Sequence, residues 1–212
     1  MKITILYDNT AIREELKADW GFACLIETDE HTILFDTGAN GVILLNNMDR
    51  LDVKPDEIDM IFISHNHFDH TGGLSAFLNE NKNVTIYVPK SLRGIRNVKE
   101  IVYIDEPRML FPHIYTTGEL ANIEQSLIIQ TDKGCVIIAG CSHPDMNLIL
   151  NASRAFGKLY AIIGGLHGFN QFDLFNELSL VCPTHCTKYK EQIHTTYPDK
   201  YIDGGVGKII EI

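Results

Sequence analysis

Apolar positions along this chain come in short runs closed by polar clusters, the rhythm of β-strands and turns. Residues 3–7 (ITILY) are apolar and rich in β-branched side chains. Residues 22–27 and 32–35 flank Thr28-Asp29-Glu30-His31, which predicts a hairpin. Residues 58–64 (IDMIFIS) are almost continuously apolar, as a strand buried on both faces would be. Residues 84–88, 126–130, 136–139 and 159–163 repeat that signature. A helical period appears at 41–50, with Val42, Leu45 and Met48 on one side, and again at 73–79 and 145–156. Another helix is expected after Phe169, running through Leu178.

Strands precede helix in both 1–115 and 116–212. That order predicts two β-rich halves packed face to face with helices outside, an α+β sandwich of four layers, αββα. The length of 212 residues fits one domain over 1–212 with a sizeable core.

Composition narrows the class. Apolar residues are 45 % and charged residues 22 %, which excludes a disordered or collagen-like chain. Eighteen basic against 28 acidic residues give a net charge of −10, contrary to a general grip on nucleic acid. The run at 3–7 is too short for a signal-peptide core, and no run approaches the roughly 18 residues of a membrane span. Five cysteines, an odd number, point to reduced thiols and a cytoplasmic protein. The expected partner is a small-molecule substrate, with neither nucleic acid nor membrane.

The chemistry concentrates in His65-Asn66-His67-Phe68-Asp69-His70, directly after the apolar run at 58–64. Imidazole and carboxylate suit a divalent ion of the zinc, iron or manganese type. Six adjacent residues close poorly around one ion but can serve two, about 3.5–4 Å apart in two-metal sites. Further ligands must come from later turns. Three apolar runs end in histidine-bearing turns: Gly140-Cys141-Ser142-His143, Gly164-Gly165-Leu166-His167 and Pro183-Thr184-His185-Cys186. His143 and His185 are the expected ligands there, and His167 is either a further ligand or a substrate-facing or supporting group. Cys141 is either a metal-binding thiol or a small buried turn residue. Cys182 and Cys186 read as packing residues. Asp36 ends the run at 32–35 and reads either as an N-cap or turn aspartate or as a carboxylate that orients a liganding histidine, and Asp8 and Asn9 also follow a predicted strand, which brings them toward the same edge as supporting or substrate-facing groups. His31, His113 and His194 read as surface or structural.

Phe35-Asp36-Thr37-Gly38 followed by Ser64-His65-Asn66-His67-Phe68-Asp69-His70-Thr71-Gly72-Gly73 resembles the metallo-β-lactamase superfamily. The turns at 140–143, 164–167 and 183–187 are similar to its dihydropterin/ribofuranosylaminobenzene-phosphate-synthase-like branch. So are Tyr7-Asp8-Asn9-Thr10, Trp20-Gly21-Phe22 and Thr117-Gly118-Glu119. The resemblance implies an αββα sandwich with the site at one edge. It implies His65, His67 and His143 on one ion, and Asp69, His70 and His185 on the other. The superfamily's bridging-aspartate position holds Cys141, and Lys188 stands where the branch often has glycine.

The function expected is a metal-dependent hydrolase. Two ions, zinc foremost and manganese or iron otherwise, would supply a metal-bound hydroxide. Asp69 would ligate and accept a proton, and Lys188 would meet an anionic, pterin- or phosphate-bearing substrate. Two other readings use the same ligand set: an iron-based redox protein, and a non-catalytic metabolite binder.

Overall fold

A computed structural model describes residues 1–96 and 98–212. Its first sheet is built from β1 (Lys2–Tyr7), β2 (Ala23–Glu27), β3 (Thr32–Phe35), β4 (Met60–Phe62), β5 (Thr85–Pro89), β6 (Glu100–Ile104) and the last strand, β13 (Ile209–Glu211), in the order β13-β1-β2-β3-β4-β5-β6. The second contains β7 (Arg108–Phe111), β8 (Ile114–Thr116), β9 (Leu127–Thr131), β10 (Gly134–Ala139), β11 (Leu159–Gly165) and β12 (Leu180–Thr184), ordered β12-β11-β10-β9-β8-β7. Helices α1 (Gly41–Arg50), α2 (Phe68–Thr71) and α3 (Leu74–Glu80) belong to the first half. Helices α4 (Met146–Arg154) and α5 (Lys190–Thr196) belong to the second.

Side chains alternate across each strand, so one strand feeds two cores. In β3, Ile33 and Phe35 enter the space between the sheets, where they meet Val136, Ile138, Ala161 and Ile163 of the second sheet. Leu34, between them in sequence, faces outward onto Leu44 and Met48 of α1 and Phe77 of α3. In β10, Cys135 and Ile137 face Ile149 and Leu150 of α4 and Ile193 of α5. This is the four-layer αββα sandwich expected, and burial of both strand faces explains the continuous apolar runs.

Several local expectations need correction. The α1 span is as predicted, but its inward face is Gly41, Leu44, Asn47 and Met48, while Val42 is exposed. Asn40 caps the helix through its side chain and sets that phase. The helix expected through Leu178 is only a 3-10 turn, Phe172–Phe175. The halves do not divide at 115: the second sheet already begins at Arg108, and β13 returns to pair antiparallel with β1.

One consequence of the topology positions the site. β3 and β4 run parallel, β10, β11 and β12 run parallel, and β1 shares the direction of β3 through the antiparallel β2. The segments just past the carboxyl ends of β1, β4, β10 and β12 meet along one edge of the sandwich.

Candidate metal centre

The turns at that edge are sharp. Asp36 after β3, Ser142 after β10, His167 after β11 and His185 after β12 all take left-handed φ, at 55°, 59°, 44° and 44°. Non-glycine residues hold such a conformation only where surrounding contacts impose it, and such strain clusters at functional sites. Gly140 makes room for the approach of two turns: a Cβ there would stand 2.2 Å from Ser64 Oγ.

The first cluster extends from β4. Ser64 and His65 are clamped across to the second half, because Gln125 donates its backbone N–H to the Ser64 carbonyl and its side-chain amide to Ile63. The α2 turn is held from the other side, as Thr37 donates to the His70 carbonyl through both N–H and hydroxyl.

Two triads of donors result. The ligating atoms of His65, His67 and His143 lie within 4.8 Å of one another, and so do those of Asp69, His70 and His185. His143 Nε2 is 3.2 Å from His67 Nδ1, and His185 Nε2 is 3.1 Å from Asp69 Oδ2. The structure thus brings together the six residues the sequence singled out. His65 and His70 are fully buried, while His67 is exposed and opens the site to solvent.

Supporting groups fix which nitrogen faces inward. Asp36, fully buried, accepts from Ser64 N–H and from the Ser64 hydroxyl, both at 2.7 Å, and from His70 Nδ1 at 2.7 Å. A carboxylate only accepts, so His70 carries its proton on Nδ1. The Ser64 proton is committed to Asp36, so Ser64 Oγ accepts from His65 Nδ1 at 2.9 Å. Asn9 Oδ1 accepts from His185 Nδ1 at 3.0 Å, and its amide nitrogen donates to the His185 carbonyl at 3.1 Å. Asp8 accepts the His185 backbone N–H at 2.7 Å. In its neutral form each of the three imidazoles therefore turns an Nε2 lone pair toward the centre of the cluster. His65 Nε2 is buried and has no hydrogen-bond partner among the described residues. Lone pairs and a carboxylate crowded together repel unless a cation lies among them. The donor set fits divalent ions, and a hydrogen bond from the far ring nitrogen is the usual support of a metal-bound histidine.

The electrostatics agree. Burial pushes His143 down to about 4 and His185 down to about 3, so both stay neutral and able to ligate. His65 is lowered for the same reason, chiefly burial. For Asp69, burial favours the neutral acid, but His70, His185 and the Trp20 hydrogen bond outweigh it and hold the carboxyl below its ordinary value. Trp20 is exposed at the mouth of the site and donates Nε1–H to Asp69 Oδ2 at 2.8 Å.

Glu124 has no counterpart in the sequence reading. It is buried, and its two oxygens accept the backbone N–H groups of Gly140, Cys141, Ser142 and His143 at 2.8–3.1 Å. One carboxylate thus holds the whole turn that presents Cys141 and His143. A lone acidic residue amid Ile123-Glu124-Gln125-Ser126-Leu127 was the one available sign, since unpaired buried charge is rare.

The remaining candidates fall as follows. The His167 ring lies 5.1 Å from that of His143 and lines a cavity of about 430 Å³ with Ser142, Asp145, Phe169, Asn170 and Gln171. Lys188 lies outside that lining, its ammonium 5.1 Å from the Tyr189 ring. Cys182 packs between the sheets as expected, but Cys186 does not: its sulfur is 3.3 Å from that of Cys141. His31 rests on Phe111, His113 bonds Gln130, and His194 packs on Tyr201, all away from the site.

Comparison with known proteins places this geometry. The family model for the Metallo-beta-lactamase superfamily matches residues 21–113. A 7,8-dihydropterin-6-methyl-4-(beta-D-ribofuranosyl)-aminobenzene-5'-phosphate synthase of Methanocaldococcus jannaschii is 29 % identical, with 89 % of this chain and 88 % of that protein aligned. A ribonuclease Z of Methanococcus maripaludis is 30 % identical over 63 % of this chain and 41 % of its own length. Among solved structures, a metal-dependent hydrolase of the beta-lactamase superfamily superposes with a TM-score of 0.80 at 23 % identity, covering 100 % of this chain and 99 % of that one.

Proposed function

From a chain that belongs to the metallo-β-lactamase superfamily, we propose a metal-dependent hydrolase with two ions, held by His65, His67 and His143 and by Asp69, His70 and His185. The observation that carries this reading is the set of inward Nε2 lone pairs on His65, His70 and His185, each fixed by a protein acceptor on Nδ1. Bound ions of the zinc class supply Lewis acidity and ease the deprotonation of water near neutral pH.

The chain's own residues do the rest. Asp36 and Asn9 hold the imidazoles in the ligating tautomer. Asp69 Oδ2 is partly exposed beside the site mouth, where it is placed to take up a proton released during attack. Trp20 fixes that carboxylate and stands edge-on to the His185 ring at 4.8 Å. The cavity beside His143 holds the part of the substrate that does not react. Its lining combines Phe169 with the amides of Asn170 and Gln171 and the carboxylate of Asp145, and includes no lysine or arginine among the described residues. That chemistry suits a planar heterocycle with hydrogen-bonding edges, and the pterin in the name of the Methanocaldococcus jannaschii relative is of that kind. The lining gives no support to a phosphate seated in this cavity.

The test is turnover of a small panel of phosphoesters and lactones by the protein as purified, after chelation, and after return of zinc or manganese. Hydrolysis lost on chelation, restored by metal and absent from His65→Ala is the expected result. Hydrolysis indifferent to chelation, or intact in His65→Ala, overturns the proposal.

A further inference from the structure

Two cysteines of the site have no part in the scheme above. Cys141 lies on the turn after β10 and Cys186 on the turn after β12, 45 positions apart in sequence. Both are free thiols, Cys141 buried and Cys186 half-buried, and their sulfurs are 3.3 Å apart. Gly165 lets them approach: a Cβ there would stand 2.8 Å from the Cys186 sulfur and 3.1 Å from the Cys141 Cα. Each thiol is held by its turn. Glu124 accepts the Cys141 N–H at 2.9 Å. The Thr187 hydroxyl, next to Cys186, donates to the Thr184 carbonyl at 2.7 Å and accepts the Leu166 N–H at 2.9 Å. The other three cysteines are closed off: Cys24 and Cys182 are fully buried between the sheets, and Cys135 is fully buried toward α4.

We infer that Cys141 and Cys186 are a redox modification site, a dithiol that low-molecular-weight disulfides oxidise to a reversible Cys141–Cys186 disulfide. Cys186 is the thiol a reagent reaches, because Cys141 lies behind it. The Cys186 thiolate attacks the reagent RS–SR, whose sulfur–sulfur bond breaks as RS⁻ leaves. The Cys141 thiolate then attacks the Cys186 sulfur and expels a second RS⁻. The two protein thiol protons end on two RSH, so the pair loses two electrons and the reagent gains them. A disulfide needs about 2.05 Å between sulfurs, so the two must close by 3.3 − 2.05, about 1.25 Å. His143 is two residues from Cys141, and His185 is next to Cys186. Closure therefore draws together the turns that carry these histidines, and the Cys141 sulfur leaves its place 3.2 Å from His70 Nε2. Oxidation should weaken metal binding, a consequence that rests on the two-ion reading, whereas the disulfide itself does not.

The test starts from wild-type protein, chelated and folded, treated with oxidised glutathione and then read by mass spectrometry. The expected product is lighter by about 2 Da, the two hydrogens lost on closing one disulfide. Thiols titratable in denaturant should fall from five to 5 − 2 = 3. Digestion should yield one linked peptide pair holding Cys141 and Cys186, and dithiothreitol should restore the starting protein. Cys141→Ser should stop at a glutathione adduct on Cys186, Cys186→Ser should not react, and Cys182→Ser should behave as wild type. Five thiols that persist, a glutathione adduct that persists on the wild-type protein, or a bond between other cysteines overturns the inference. Zinc competition against a chelator, run on the oxidised and the reduced protein, then reads the consequence. The oxidised form should bind about 10-fold or more weakly, the scale of losing a group that orients a metal ligand. Equal affinity overturns the coupling to the site and leaves the disulfide standing. Failure of the reduced protein to bind any ion overturns the two-ion reading, while the mass and thiol counts still decide the disulfide.

Discussion

At the scale of single residues, three of the site's histidines, His65, His70 and His185, have their outer ring nitrogen held by a protein acceptor. Asp36 does most of this, serving His70 directly and His65 through Ser64. Asp36→Asn replaces an acceptor with a donor and frees both tautomers, so zinc affinity in a chelator competition should fall by about 10- to 100-fold. Unchanged affinity would show that the ring orientations are set by packing alone. The same residues give the ion-free protein an acid-sensitive core. His143 titrates at about 4 and His185 at about 3 in the fold, and His65 is lowered too, mainly because burial disfavours their charged forms. In the unfolded chain they titrate near 6.5. Between those values the unfolded state binds more protons, so stability rises with pH and is lost as pH falls from about 6.5 toward 4. His70 works the other way, since Asp36 raises it against the effect of burial. Urea unfolding of the chelated protein should give a lower midpoint at pH 5 than at pH 7; an equal or higher one contradicts this. The first cluster was legible because His65, His67, Asp69 and His70 fall within six residues of the chain. Glu124 was not, because its partners are backbone N–H groups, which every non-proline residue carries.

At the scale of elements, strands buried on both faces announced themselves and edge strands did not. The strands β3, β4 and β10 lie inside the sheets and read directly as apolar runs. By contrast, β6 is an edge strand with one buried residue, β7 has none, and β13 has only Ile210. A pattern search has little to find in such segments. Helix α5 buries only Ile193 and lacks a side-chain cap, so neither period nor capping marks it. The turn after β10 is the element on which function most depends, because Glu124 holds it by four backbone hydrogen bonds. Glu124→Gln keeps the size but replaces one accepting oxygen with an N–H₂ group. It should lower unfolding free energy by about 2–3 kcal/mol, the scale of buried hydrogen bonds to a charged group. Chemical denaturation measures this, and a change within about 0.5 kcal/mol would mean that the turn holds its shape without the carboxylate.

At the scale of the whole molecule, the two sheets meet in one core and the proposed ligands are divided between them. His65, His67, Asp69 and His70 follow β4 of the first sheet, whereas His143 and His185 follow β10 and β12 of the second. The four-layer architecture was legible from the order of strands and helices, but the way the chain closes was not. The backbone N–H of Ile212 donates to the Met1 carbonyl at 3.1 Å, a pairing across nearly the whole chain that no local pattern encodes. Ions that need both sheets bind the folded state only. At free metal about 100 times Kd each ion adds about 2.7 kcal/mol, so chelation should lower the thermal midpoint by roughly 5–11 °C per ion. A midpoint indifferent to chelation would show that the ions do not join the halves. No helix among the described residues is long and apolar enough to cross a membrane. The most direct test of the central claim is metal content per chain by elemental mass spectrometry, on protein purified anaerobically and reconstituted. The account predicts about two zinc-class ions per chain, with the ion count reduced in His65→Ala and in His185→Ala. A chain that holds no stoichiometric metal, or keeps its full complement without these histidines, contradicts it.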